Sequence, residues 1–430
     1  MAIALANGSS VALAQETTAP PEPTDTEYPL TVDDSIVVTA QFRKQNILDV
    51  PLAITAYDGD DLTRLGVDEF DELAAFVPGL VVQEQSVNNA GFVIRGITSD
   101  SGASNIEPRV SVFQNGVSIS RSRGSVVRLL DLERVEVLKG PQGTLFGRSA
   151  EIGAVHVISN KPGNDFEAGA SVGFGNFDQQ RLDGFINIPI IDDRLAVRFA
   201  GLYEHRDGYV ENPLEQALNG VETLSLRGSL RFTPNDNVTI DLIGNYNKDT
   251  PPGTGFKSGV IPALGGDTDP QSFATIGTFG NFLGADTLGV QRDLFDITAI
   301  VNWEINDQWT LTSTTAHRDF DSLDIFDPDG SAFDIFVFAE NSTATQWSSD
   351  FRFAYDSQNR LRGFFGGGIF KENGQQLTPL GVDVVSVSAF FGSLGTVGAP
   401  VDGIASLNAP GFLNPLALAF LTGNPDAVQA

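Results

Sequence analysis

The stretch TLSLRGSLRF, Thr223 to Phe232, puts Leu224, Leu226, Leu230 and Phe232 on one side of an extended chain. Thr223, Ser225, Arg227, Ser229 and Arg231 fall on the other, because successive strand side chains point to opposite faces. The same two-residue period returns downstream. Val238, Ile240, Leu242 and Tyr246 oppose Thr239, Asp241, Asn245 and Asn247; Ile297, Val301, Trp303 and Ile305 oppose Thr298, Asn302 and Glu304; Phe351, Phe353 and Tyr355 oppose Asp350 and Arg352. Roughly nine such segments follow Lys161-Pro162-Gly163, each about the length that crosses a bilayer when tilted.

Connection lengths add an independent signal. Short turns are expected at Asp192-Asp193, around Pro234-Asn235-Asp236, at Asn306-Asp307 and around Asp356-Ser357-Gln358. Long connections are expected from Arg206 to Val221, Asp249 to Val290, Asp321 to Asn341 and after Glu372. Strict alternation of short and long is how periplasmic turns and extracellular loops sort in a transmembrane barrel. A soluble β-sandwich would also alternate along its strands, but gives no reason for loops to sort by end. The predicted fold class is therefore an α+β domain followed by an antiparallel transmembrane β-barrel.

Upstream, the pattern is mixed. Asp61 to Phe76 places Leu62, Leu65, Phe70, Leu73 and Phe76 at helical spacings, ended by Pro78-Gly79. Short strands are predicted at FVIRGI, RVSVFQNGVSI, ERVEVLKG and AVHVIS. Residues 15–49 read as a linker, Pro- and acid-rich from Glu16 to Pro29, containing the β-prone run Ile36, Val37, Val38, Thr39, Ala40. That run suits either a strand added to another protein's sheet edge or an ordinary first strand of the next domain. Residues 1–14 resemble the second half of a signal peptide, with Ala12 and Ala14 before Gln15 and no basic n-region.

Composition excludes several classes. A net charge of −29 argues against nucleic acid, whose phosphates are bound by Lys and Arg. With no cysteine there is no disulfide scaffold or thiol chemistry. No run of eighteen apolar residues is present, and a β-barrel needs none. HExxH, GxSxG and Walker motifs are missing, and His156, His205 and His317 lack metal-ligand spacing. Asp327-Pro328-Asp329-Gly330 reads as an Asp-rich turn, and His156 as structural. No enzyme activity, cofactor or metal is expected.

The order IVVTA (Ile36 to Ala40), FVIRG (Phe92 to Gly96), VFQNGV (Val112 to Val117) and LERVEVLKGPQGTLFGRSAEIGAVHVISNKP (Leu132 to Pro162) resembles the TonB box and plug of TonB-dependent outer-membrane receptors, over roughly Ser35 to Lys371. The resemblance implies a plug (50–163) inside a barrel (164–430) of 22 strands, in the bacterial outer membrane, of which about nine are present. A TonB-type inner-membrane protein would pair with Ile36 to Ala40, and Arg95 and Arg148 would face barrel glutamates. Gly140, Pro141 and Gly143 would make a tight turn, while Gly147 and Gly153 would allow close backbone approach. The departures are Ile152, where a second glycine is usual, and His156, where a small polar residue is usual.

The resemblance further implies import of a scarce large solute, foremost a ferric siderophore, with haem, cobalamin and oligosaccharide as alternatives. A passive or adhesive barrel is the competing class, but has no use for a plug or coupling segment. Outward plug loops would offer Gln85, Asn88, Asn89, Asn105, Arg121 and Arg123 to the solute. Outer-membrane lipid and a monomeric complete form are also expected. Nine strands cannot close such a barrel, so the 430 residues alone are expected neither to insert nor to transport.

Overall fold

The two-residue period of 223–232 becomes one continuous antiparallel sheet in the computed structural model of the protein. The structure describes residues 37–39, 45–84, 90–98, 107–125, 128–143, 150–212, 216–256, 282–285, 287–328, 330, 336–357 and 360–382.

The first unit begins with β1 (Val37–Val38), antiparallel to β2 (Gln45–Asn46). There follow β3 (Ile54–Asp58), α1 (Gly59–Leu65), α2 (Phe70–Phe76), β4 (Leu80–Glu84), β5 (Ala90–Ile94), β6 (Ile97–Thr98), β7 (Val110–Gln114), β8 (Val117–Ile119), β9 (Leu132–Lys139) and β10 (Gly153–Ser159). One sheet has the order β3-β9-β10-β7-β8, with β10 and β7 parallel; β4, β5 and β6 form a second, three-stranded sheet.

The single helix expected over 61–76 is two helices. Gly66 adopts φ +68° and its N–H closes back on the Leu62 and Thr63 carbonyls, ending α1. The Glu72 carboxylate then accepts from the Asp68 and Glu69 amides and starts α2. Both helices feed one core: Leu62, Phe70 and Leu73 pack with Val112, Val135, Val137, Val155 and Val157. The opposite sheet face carries Ala56, Phe113, Leu138 and Ala154, and is covered by Val38 and Val50. Every residue of β10 is buried, as a central strand covered on both faces must be.

Gly153 shows the close approach expected of it. A Cβ there would sit 2.5 Å from the Leu138 carbonyl oxygen and 2.6 Å from Ile94 Cδ1. Gly153→Ala should therefore cost the first unit about 1–3 kcal/mol, seen as a lowered denaturant midpoint. Gly140 also needs its glycine, at φ +114°. It does not close a tight turn, however: β9 and β10 are joined by residues 140–152, with the Gly140 amide donating to the Ile152 carbonyl and the Gln142 amide to that of Ala150.

The second unit is the sheet β11 (Glu167–Gly175), β12 (Gln179–Ile191), β13 (Leu195–Arg206), β14 (Val221–Asn235), β15 (Val238–Asp249), β16 (Gly289–Asn306), β17 (Trp309–Phe326), β18 (Phe336–Asp356) and β19 (Arg362–Leu377). The short β20 (Leu380–Val382) pairs with the start of β18. Near-end turns at 192–194, 236–237, 307–308 and 357–361 are short, as predicted. At the far end, 207–220 and 250–288 are long, but β17 and β18 run further than expected and leave only 327–335. Strict alternation also fails at the first hairpin, where 176–178 is a three-residue far-end turn with Phe177 and Asp178 at positive φ.

One face of this sheet is apolar and exposed: Phe199, Tyr203, Leu226, Phe232, Leu242, Phe295, Trp303, Trp347 and Phe351. Trp309 packs on Tyr355 at 4.9 Å and Phe353 stacks on Phe365 at 5.1 Å, in the manner of an interfacial aromatic girdle. The other face, with Arg198, Arg227, Asp241, Asn245, Arg292, Asp296 and Arg318, is buried against the first unit. No helix among the described residues is long and apolar enough to cross a membrane.

Candidate functional site

Two regions bring functional side chains together. The first is the contact between β1 and the first unit's sheet. Val38 is fully buried, and the next residue, Thr39, donates its amide to Glu136 Oε1 at 2.8 Å and its hydroxyl to the same oxygen at 3.3 Å. Arg134 Nε donates to that oxygen at 2.8 Å, while Arg134 Nη2 donates to the Thr39 hydroxyl at 3.0 Å. Glu136 lies on β9 and is itself fully buried. The segment predicted at Ile36 to Ala40 is thus docked at Val37, Val38 and Thr39; Ile36 and Ala40 lie outside the described residues.

His156, next to Glu136 on β10, accepts the Gly116 amide at Nε2, 3.0 Å away, so its proton sits on Nδ1. Burial pushes its imidazole down to about 4; Glu136 opposes that shift, and Arg134 and Lys161 add to it. A pKa below the unfolded value of about 6.5 means this contribution to stability is present above pH 6.5 and is lost as pH falls toward 4. Glu69 on the plug edge runs the other way. Burial raises it to about 7 against the pull of Arg128, so its contribution fades as pH rises through 7. Comparing the parent with His156→Phe cancels Glu69. The parent should lose on the order of 3 kcal/mol more plug stability between pH 6.5 and 4, measured by denaturant titration.

The second region is the contact between the first unit, at Asp68, Gln114, 118–125 and 128–131, and the sheet wall. Wall arginines reach in from alternate positions of five strands. Arg181 on β12 forms a two-pronged pair with Asp68, at 2.7 and 3.0 Å, and Arg198 on β13 another with Asp131, at 2.8 and 2.6 Å. Arg227 on β14 donates to the Leu130 and Asp131 carbonyls at 2.7 and 3.1 Å. Arg292 on β16 donates to the Arg123 and Ser125 carbonyls at 3.3 and 3.2 Å and is paired with Asp249 at 2.8 Å. Arg318 on β17 donates to the Gly124 carbonyl and to Gln114, beside Asp296 at 3.1 Å. The planar guanidinium, with five donors, allows one side chain to hold a wall carboxylate and two carbonyls together.

The first unit also sends cations outward. Arg121 pairs with Glu372 on β19 at 2.6 Å, Arg123 with Glu340 on β18, and Arg128 with Glu69 and with Glu204 on β13. This gives Arg121 and Arg123 a use other than the solute contacts predicted for them: they tie the plug to the wall, and Arg123 is buried. Arg95, predicted for that tie, occupies instead the Arg95-Gly96 turn between β5 and β6, both residues at positive φ. Its amide donates to the Gly79 carbonyl and its side chain is exposed; among the described residues no carboxylate pairs with it. Pro141 and Gly143 follow Gly140 in the β9–β10 connection. Arg148, Gly147, Gln85, Asn88, Asn89 and Asn105 lie outside the described residues.

The wall arginines were within reach of sequence reading. Arg227 falls on the polar face of the quoted decamer, and Arg198, Arg292 and Arg318 occupy equivalent inward positions. No metal-ligating cluster of three or more His, Cys, Asp or Glu occurs among the described residues.

A mixed α+β unit wedged by ion pairs against the polar face of an antiparallel sheet, whose outer face is apolar with an aromatic girdle, defines the class of plugged outer-membrane β-barrels. The family model "TonB-dependent Receptor Plug Domain" matches residues 46–154. The pesticin receptor of Yersinia pestis is 27% identical over 211 residues, 47% of this chain and 30% of the relative. The ferrioxamine B receptor of Salmonella typhimurium is 25% identical over 255 residues, covering 55% and 34%. Among solved structures, the ferric yersiniabactin uptake receptor FyuA of Yersinia pestis aligns with TM-score 0.65 at 19% identity, over 77% of this chain and 50% of that one. Over the residues compared, the chain is similar to TonB-dependent receptors, in sequence across the plug and in fold across plug and sheet. It spans about a third of the length of the curated relatives it matches.

Proposed function

We propose that the complete receptor sits in the bacterial outer membrane as a monomer and imports a ferric siderophore, with β1 recruited by a TonB-type inner-membrane protein. The observation that carries this reading is the plug itself, lodged against the polar wall with a separately docked strand ahead of it. A passive or adhesive barrel has no use for either. Names among its relatives and structural neighbours support the solute class: a ferrioxamine B receptor and a ferric yersiniabactin uptake receptor. Residues 1–14 are assigned to a signal-peptide remnant, 15–49 to the coupling linker, 50–163 to the plug and 164–430 to the barrel.

The test is growth of a deletion strain, with and without the complete gene, on candidate solutes. A defect restored by the gene under iron limitation, with a particular ferric siderophore as sole iron source, is expected. A defect that appears only with cobalamin or an oligosaccharide, and persists in iron excess, would overturn the siderophore reading.

A further inference from the structure

The carboxylate of Glu136 is loaded on one side only. Its Oε1 takes three donors, the Thr39 amide, the Thr39 hydroxyl and Arg134 Nε. Its Oε2, equally buried, has no hydrogen-bond partner. Facing Oε2 at 3.9 Å is His156 Nδ1, which carries its proton because Nε2 is occupied as an acceptor, and which is also buried without a partner. A donor and an acceptor, both desolvated, stand about an ångström beyond bonding reach of each other. Each orphan costs free energy that a small movement would recover.

What prevents that movement is Thr39. Two of the three donors on Oε1 come from this residue, and they hold the carboxylate toward β1. Val38 seals the same face by packing with Ala56, Phe113, Leu138 and Ala154, and Phe113 lies edge-on to the His156 ring at 6.2 Å. The coupling strand, the carboxylate and the imidazole are therefore stacked in one line, from the edge of the plug into its central strand.

We propose that Glu136 is a two-position acceptor that reports the state of the coupling segment to the plug sheet. With β1 docked, Oε1 holds Thr39; with β1 withdrawn, the carboxylate turns and Oε2 closes on His156 Nδ1–H. Arg134 stays with Glu136 in both positions and keeps the charge compensated. Release is thereby eased, because the buried carboxylate is not abandoned when Thr39 leaves, and the middle of β9 and β10 is altered by an event at the plug's edge. His156 is a positioning residue in this scheme. The direction of release rests on the coupling role given to β1 above; the docked geometry does not.

The experiment reads docking without reading uptake. The chain contains no cysteine, so it contributes no thiol besides an introduced Val38→Cys in the complete receptor. Maleimide should label that buried site slowly in the parent and at least tenfold faster with Thr39→Pro, which removes both Thr39 donors to Glu136 while leaving the residues of β9 and β10 themselves unchanged. A second reporter, Ile158→Cys on β10, should keep its rate in Thr39→Pro. His156→Phe withdraws the second position and should slow labelling of Val38→Cys by about fivefold, the worth of one hydrogen bond. In Thr39→Pro, the ¹⁵N-labelled His156 imidazole should show its Nδ1 proton moving downfield. Protection of Val38→Cys in Thr39→Pro equal to the parent's, or both reporters opening together there, would overturn the latch. Release by Thr39→Pro with neither the His156 signal nor the His156→Phe rate moving would overturn the second position. A receptor failing to import any siderophore would leave all of these readouts intact.

Discussion

Replacing Arg292 with methionine should free the plug from the barrel wall over residues 123–125 and destabilise the receptor by about 3–5 kcal/mol, the cost of breaking a buried ion pair from one side. Arg292 and Asp249 are among the most buried charged groups of the sheet, and removing the guanidinium strands the carboxylate in a dry interior. The Arg123 and Ser125 carbonyls lose their donor in the same step. Limited proteolysis of the complete receptor should then cut near 120–131, where the parent is protected. The double variant Arg292→Met, Asp249→Leu should recover much of the loss, because no charge is left unpaired. An Arg292→Met receptor as resistant to protease as the parent would show that the wall does not hold the plug here.

Val38→Pro should abolish energy-dependent uptake in the complete receptor while leaving solute binding at the cell surface within about twofold. Proline removes a strand amide and fixes φ, so the segment can no longer extend a sheet pairing. The same change takes an apolar side chain from the cluster with Leu138 and Ala154, so the strand should also undock more readily. Undocking alone would favour a partner's access. Loss of uptake would therefore identify pairing itself as the required step, and normal import by Val38→Pro would remove the coupling role from this segment.

The period-2 pattern made the sheet legible because one strand face meets lipid and the other a packed polar interior, and both demands are written residue by residue. Strand ends were less legible. Asp321, Asp324 and the residues beyond them read as loop, yet β17 continues to Phe326, since Ile325 packs against Val210, Leu218 and Val337 contributed by distant segments. Gly66 stopped a helix whose apolar spacing carried on past it, because a left-handed residue outweighs periodicity at that point. The site divided in the same way. Arg227 could be placed facing inward from its neighbours, but its partners in the first unit are main-chain carbonyls nearly a hundred positions away, and carbonyls leave no trace in a sequence. Arg121 and Arg123 read as solute contacts because a cation near a loop carries no mark of the carboxylate that will meet it.

That choice of partner bears on how the receptor can evolve. A carbonyl oxygen is the same at every residue, so Arg227, and Arg292 on its plug side, grip the main chain at Arg123, Ser125, Leu130 and Asp131 whatever side chains stand there. Side chains at Ser125 and Leu130 can therefore be exchanged without loss of these particular main-chain bonds, whereas Arg123 and Arg128 hold the wall through their own side chains. A side chain is the handle instead at Asp131 for Arg198 and at Asp68 for Arg181, and there the identity of the residue decides whether the grip exists.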